Sequence, residues 1–211
     1  FAKSNGVRFI QAQGVGYQYL LEQEVRPGMI AVQGGSHASI YGSVGALGIN
    51  VSATELARVL EHDYYNAIVP ETVTVRVEGT LPAGTTMMDA AMVFLSDNPC
   101  LAGKSVEFSA PTLDAHQKAV LCSMACETGA FCAAVTDTEG RDVTLDLSKV
   151  VPMVTKPCPS RDVQKDAVRQ PKEVLQGMKL QAGQIGGYTG GTIEDLRLAA
   201  SLIEGKTLAQ L

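Results

Sequence analysis

The 211-residue chain is 45% hydrophobic and 18% charged, an ordinary globular balance with enough length for one large domain or two to three small ones. Seventeen Lys and Arg against 22 Asp and Glu leave a net charge of -5, which argues against nucleic acid or an anionic membrane as partner but not against a small anionic ligand held by a few groups in a cleft. No apolar run reaches the length of a membrane span and no charged-then-apolar leader opens the chain; it begins with Phe1 rather than Met, so a preceding segment is expected.

In chain order, Val25-Arg26-Pro27-Gly28 is a turn signal and Met29-Ile30-Ala31-Val32 a buried strand. The strand runs into Gln33-Gly34-Gly35-Ser36-His37, too glycine-rich for a helix. Ser52, with Glu55 three residues on, is a capping-box start for a helix carrying Leu56, Val59 and Leu60. Thr72 to Gly79 alternates strictly and is the clearest strand. Leu81-Pro82-Ala83-Gly84 turns it, and Thr86 caps a helix through Met87 to Leu95. Ser105 to Phe108 is a further strand, Asp114 to Cys126 a helix with a mostly apolar face, and Val143 to Leu147 alternates again. Pro152, Pro157 and Pro159, with the charged run Arg161 to Asp166, mark a solvated connector. Gly186 to Gly191 forms a second glycine loop, opening a helix with Leu196, Leu198, Leu202 and Ile203. Strands alternating with helices predict an α/β architecture in several small units.

Five cysteines, an odd number without a CxxC pair, indicate reduced thiols in a cytoplasm-like compartment. Cys122 and Cys126 share a helix face at ligand-like spacing, but their apolar neighbours read as core thiols rather than a zinc site. Ser36 and His37 directly follow a strand, where ligand contacts concentrate in α/β sheets. An imidazole there suits proton transfer or anion binding; the alternative is that both residues only cap the next segment. The amides of the 186–191 loop and the following helix start suit an anion, although no Lys-Ser/Thr follows as in a P-loop. Glu127, beyond an apolar helix face, is either exposed at the helix end or buried with a purpose.

The order of these pieces resembles the aconitase family, closest to its homoaconitase and 3-isopropylmalate dehydratase large-subunit branch. Five stretches carry the likeness: Gly14–Gln18, Pro27–His37 with Tyr41–Gly48, Val77–Thr86, Leu121–Ala130, and Gly186–Leu196. The resemblance implies three small α/β domains around a central cleft, incomplete in this chain. Residues 1–71 would be the C-terminal part of the first, 72–153 the second, and 154–211 a linker and the start of the third.

The family's chemistry is dehydration and rehydration of a hydroxy-polycarboxylate, with one iron of a [4Fe-4S] cluster acting as Lewis acid on the departing hydroxyl. The resemblance makes Ser36, His37 and Glu127 the catalytic candidates and Gly35, Ser123, Thr189 and Gly190 the substrate-binding ones. It implies a small carboxylate ligand and a separate swivelling domain or small subunit as partner. In the family, three cysteines hold the cluster, one in the glycine loop and two downstream of the position of Leu211.

Three positions depart from the family pattern. Gly-Ser-Cys-Thr-Asn becomes Gly186-Gly187-Tyr188-Thr189-Gly190, so Tyr188 replaces the expected cluster cysteine. Asp-Ser-His becomes Gly35-Ser36-His37, and Asn-Met-x-x-Glu becomes Ser123-Met124-Ala125-Cys126-Glu127. The expectation is a hydro-lyase-like protein without a normal cluster and with no metal-ligand set. The alternative is a catalytically inactive relative that keeps a carboxylate-binding cleft as a binding or regulatory protein.

Overall fold

The computed structural model describes residues 2–155, 169–171, 173, 176–179, 182–187 and 189–206. Tyr188, Cys158 and the charged run from Arg161 to Asp166 lie outside the described residues. Among those described, the chain is α/β with parallel sheets, as the alternation of elements predicts.

After helix α1 (Gly16–Gln23), strand β1 (Ile30–Gly34) pairs in parallel with β2 (Leu47–Val51), Ile30 opposite Leu47. A 3-10 segment, Ala38–Val44, makes the crossover between them. Helix α2 (Ala53–His62) follows, and its predicted capping box is complete: the Glu55 N–H donates to Ser52 Oγ while the Ser52 N–H donates to the Glu55 carboxylate. That closes two of the amides a helix start leaves without partners.

A larger parallel sheet has the order β5-β4-β3-β6, from β3 (Thr72–Glu78), β4 (Ser105–Ser109), β5 (Cys132–Thr136) and β6 (Val143–Asp146). Helix α3 (Met87–Asp97) connects β3 to β4, and α4 (Ala115–Met124) connects β4 to β5. On α3 the buried residues Met87, Ala90, Ala91, Phe94 and Leu95 follow the three- and four-residue spacing of one helix face. Phe94 meets Phe108 of β4 edge to face, ring centroids 5.3 Å apart. A short antiparallel pair, β7 (Met153–Thr155) with β8 (Arg169–Pro171), and helix α5 (Ile193–Ile203) complete the described elements. None of the described helices is long and apolar enough to cross a membrane.

The two parallel sheets are joined by the 3-10 segment, which is buried from Ala38 to Gly42 and packs against both α4 and β5. Tyr41 and Ile40 anchor a second core cluster there, together with Ala119 of α4. The helix therefore has no solvent face over Ala119, Val120, Leu121, Cys122 and Ser123, all of which are buried. Contact with β5 is backbone to backbone: a Cβ on Gly42 would lie 1.8 Å from the Ala133 carbonyl oxygen. No side chain fits.

Gly42→Ala is accordingly expected to destabilise the protein by about 3 kcal/mol or more, because neither backbone has a soft direction in which to yield. Gly16, in α1 with nothing within 4 Å of its Cβ position, is the contrasting site. Gly16→Ala should be neutral or stabilising by up to about 1 kcal/mol. Urea midpoints of the two variants check both signs.

Candidate functional site

His37 leaves the carboxyl end of β1 and is the N-cap residue of the 3-10 segment, yet its side chain makes no capping bond. The Ala38 N–H donates instead to Oδ1 of Asn50 on β2, at 2.6 Å. The imidazole is thereby available for other contacts. Its Nδ1 lies 2.7 Å from Ser36 Oγ, and its Nε2 lies 3.4 Å from Oε1 of Glu127. His37 is only 3% exposed. An Nε2–H directed at the carboxylate leaves Nδ1 to accept from the Ser36 hydroxyl, and the other tautomer reverses both roles.

Glu127 comes from a 3-10 turn, Ala125–Thr128, that continues α4. Since α4 returns from the carboxyl end of β4 to the amino end of β5, its last turn lies at the amino edge of the large sheet. The pair thus joins the carboxyl end of one sheet to the opposite edge of the other. The usual crevice beyond the carboxyl ends of the large sheet is not where these residues meet.

Cys126 completes the group. One ligand atom each from His37, Cys126 and Glu127 all lie within 4.8 Å of one another. Cys126 is thus not the core thiol its apolar neighbours suggest: it is only partly buried and stands beside two polar side chains. Cys122, one turn earlier, is fully buried in the large core as expected. The apolar spelling of the helix concealed the difference, because the 3-10 turn swings Cys126 away from the core side.

Tyr17 of α1 fills the space beside Gly35. Its hydroxyl accepts from the His37 N–H at 3.3 Å, and its ring stands edge-on to the imidazole, centroids 6.2 Å apart. A Cβ on Gly35 would lie 1.9 Å from that hydroxyl oxygen. Where the family pattern has an acidic side chain, this chain has a phenol reaching in from another helix. Nothing in the sequence of the strand loop signals that substitution in space.

The predicted binding residues divide. Ser123 and Thr189 both line a cleft of roughly 970 Å³ between α1, the 3-10 segment, α4 and the 187–194 stretch, which also has Gln18, Ile40 and His116 in its wall. Ser123 is 1% exposed and its Oγ has no hydrogen-bond partner among the described residues. Gly35 belongs with the His37 group, one helical turn from Ser123 along α4, and Gly190 is not in the cleft wall. The amides expected to attract an anion at the start of α5 are already engaged. The Thr192 N–H donates to the Asp195 carboxylate and the Asp195 N–H to Thr192 Oγ1, a capping box that puts a negative charge in place.

An aconitase-type cluster needs three thiolates converging on one cage. The described cysteines do not converge. Cys100 is exposed, Cys122 and Cys132 are buried apart, and the His37–Cys126–Glu127 group holds a single sulfur. The described residues by themselves do not hold such a cluster.

The fold and site together define an α/β protein with an imidazole–carboxylate pair at the junction of two parallel sheets, near a cleft of mixed polar and apolar lining. The family model described as aconitase (aconitate hydratase) matches residues 1–140. The homoaconitase large subunit of Thermus thermophilus is 31% identical over 99% of this chain and 55% of its own length. The 3-isopropylmalate dehydratase large subunit of Pyrococcus horikoshii is 29% identical over 99% of the chain and 56% of its own length. A 3-isopropylmalate dehydratase large subunit of Deinococcus radiodurans is 30% identical, over 98% and 52% respectively. The chain belongs to the aconitase family. It spans about half the length of the curated relatives it matches.

Two outcomes follow from this geometry. Gly35→Ala should lose stability because the new methyl displaces the Tyr17 hydroxyl, while Gly35→Ala with Tyr17→Phe should recover part of the loss. A double-mutant cycle is expected to show a favourable coupling of about 1 kcal/mol. Separately, burial, reinforced by the charge of Glu127, pushes the Cys126 thiol up to about 12 from an ordinary value of 9.0, and burial raises Cys122 and Cys132 as well. The folded chain keeps protons that the unfolded chain releases. Their contribution to stability is whole below about pH 9 and is lost as pH rises toward 12. Denaturant midpoints measured from pH 8 upward should fall, and fall less steeply in Cys126→Ser.

Proposed function

We propose that this chain carries the proton-handling centre and carboxylate cleft of an aconitase-type hydro-lyase, a dehydratase or isomerase acting on a hydroxy-polycarboxylate. The observation that carries the reading is the Ser36–His37–Glu127 series, its imidazole buried between an exposed hydroxyl and a partly exposed carboxylate, 2.7 Å and 3.4 Å between successive partners, next to a cleft with an unpartnered buried hydroxyl. In such a reaction one group removes a proton beside a carboxylate while another assists the leaving hydroxyl. His37, oriented by Ser36 and facing Glu127, suits the first task. Glu127, 30% exposed at its side chain, suits exchange with ligand or solvent. Ser123 and Thr189 are the candidates for holding carboxylates in the cleft; Gly35, covered by Tyr17, and Gly190 are outside its wall.

The reading includes the absence of a normal [4Fe-4S] cluster, on the grounds that Tyr188 stands in place of the family's loop cysteine and the described thiols are dispersed. A separate swivelling domain or small subunit would complete the cleft, since the relatives are large subunits. The loss of a carboxylate at Gly35, with Tyr17 in its space, favours a second reading in which the cleft binds without turnover.

Calorimetric titration with citrate-like and isopropylmalate-like acids, in the presence of a chelator, tests the cleft. Binding weakened by Ser123→Ala supports it, and no binding of either class defeats it. Turnover reduced about 100-fold or more in Glu127→Gln with ligand binding kept identifies the acid–base pair; binding without turnover in the unmodified protein selects the second reading. Anaerobic treatment with iron and sulfide that yields a stable broad visible absorbance would overturn the cluster-free assignment.

A further inference from the structure

We propose that His37, Cys126 and Glu127 form a binding site for a single divalent transition-metal ion of the zinc, cobalt or ferrous type. The inference goes beyond the hydro-lyase reading and does not rest on it: it concerns the capture of an ion by these three side chains.

The geometry is close to what one ion requires. Two ligands about 2.0 to 2.2 Å from a tetrahedral metal stand about 3.3 to 3.5 Å from each other, and His37 Nε2 and Glu127 Oε1 are 3.4 Å apart. The Cys126 sulfur lies within 4.8 Å of a ligand atom of each residue, and a metal–sulfur bond of about 2.3 Å asks it to close in by up to about 1.2 Å. Three protein ligands leave a fourth position for a water or a ligand hydroxyl, the arrangement of catalytic rather than structural sites.

The surroundings are those of a metal centre. The second ring nitrogen of His37 is held by Ser36 Oγ at 2.7 Å, which fixes the ring and its tautomer as outer-shell partners do. The Ser39 hydroxyl donates to the Ser123 carbonyl in the buried joint between the 3-10 segment and α4. Charge balances too. A thiolate and a carboxylate neutralise a divalent ion, whereas without a cation the same two groups cannot both be ionised cheaply in a partly buried place. On binding, the thiol proton passes to solvent and a metal–sulfur bond forms, with no change of oxidation state. One sulfur and one imidazole favour zinc, cobalt or ferrous iron over magnesium or calcium.

The metal and a proton compete for the same atoms. In the loaded protein Nε2 and the Glu127 oxygen serve as ligands, and the acid–base role described above belongs to the metal-free protein. The two proposals therefore fail separately: carboxylate binding in chelator tests the cleft, and cobalt spectroscopy tests the metal.

Purified, chelator-stripped protein titrated with cobalt(II) is expected to bind one equivalent, with a near-ultraviolet thiolate-to-cobalt charge-transfer band and visible bands of four- or five-coordinate cobalt. Cys126→Ser, checked for folding by circular dichroism, should lose the charge-transfer band; Cys100→Ser and Cys158→Ser should keep it. Ser36→Ala, a positioning change, should weaken cobalt binding about 10-fold with the band retained. A folded protein that shows no charge-transfer band, or one whose band survives Cys126→Ser, overturns the assignment.

Discussion

Close backbone approach between the 3-10 segment and β5 is the constraint from which the rest of the arrangement descends. Gly42 lies against Ala133 with no room for a methyl group, and that contact sets the distance between two sheets that share no hydrogen-bonded strand. Once the segment is seated, its first residue, His37, is carried to the last turn of α4. Residues 90 positions apart in sequence then face each other because one peptide plane rests on another. Burial of Tyr41, Ile40 and Ala119 holds the joint with apolar surface, while its polar edge is left to Ser36, Ser39 and Glu127.

The consequence for chemistry is a centre assembled from the ends of elements. Helix and strand interiors have their backbone groups paired, so their side chains pack. Element ends and 3-10 turns stand outside those regular ladders. His37, Cys126 and Glu127 all occupy such positions. Cys122, one turn back in the regular helix, is simply core. Two cysteines four residues apart thus have different surroundings, which is why the burial of one says little about the other.

Much of the scaffold was legible from residue pattern. Thr72 to Glu78 announces a strand by alternation, and Ser52 with Glu55 announces a helix start by the two bonds they exchange. Strands β2 and β5 were not legible. Leu47-Gly48-Ile49-Asn50-Val51 is interrupted by a glycine that the Ala38 carbonyl requires, and Cys132-Ala133-Ala134-Val135-Thr136 has no alternation because a strand in a parallel sheet is covered on both faces. Helix α1 was hidden by the glycines that precede it. At the site, Ser36, His37 and Glu127 could be singled out by type and family likeness, but not their meeting, which depends on a crossover no local pattern encodes. Asn50 and Tyr17 could not be found at all. Each acts on the centre from an element whose sequence is explained by other demands.

The phenol beside Gly35 ties two distant positions together. Residues 35 and 17 compete for one small volume, and only one of them can fill it. A side chain enters at position 35 only where residue 17 gives up its hydroxyl or turns away. A carboxylate placed there by a single change meets oxygen at a distance no bond or contact allows, so the two positions vary together or not at all.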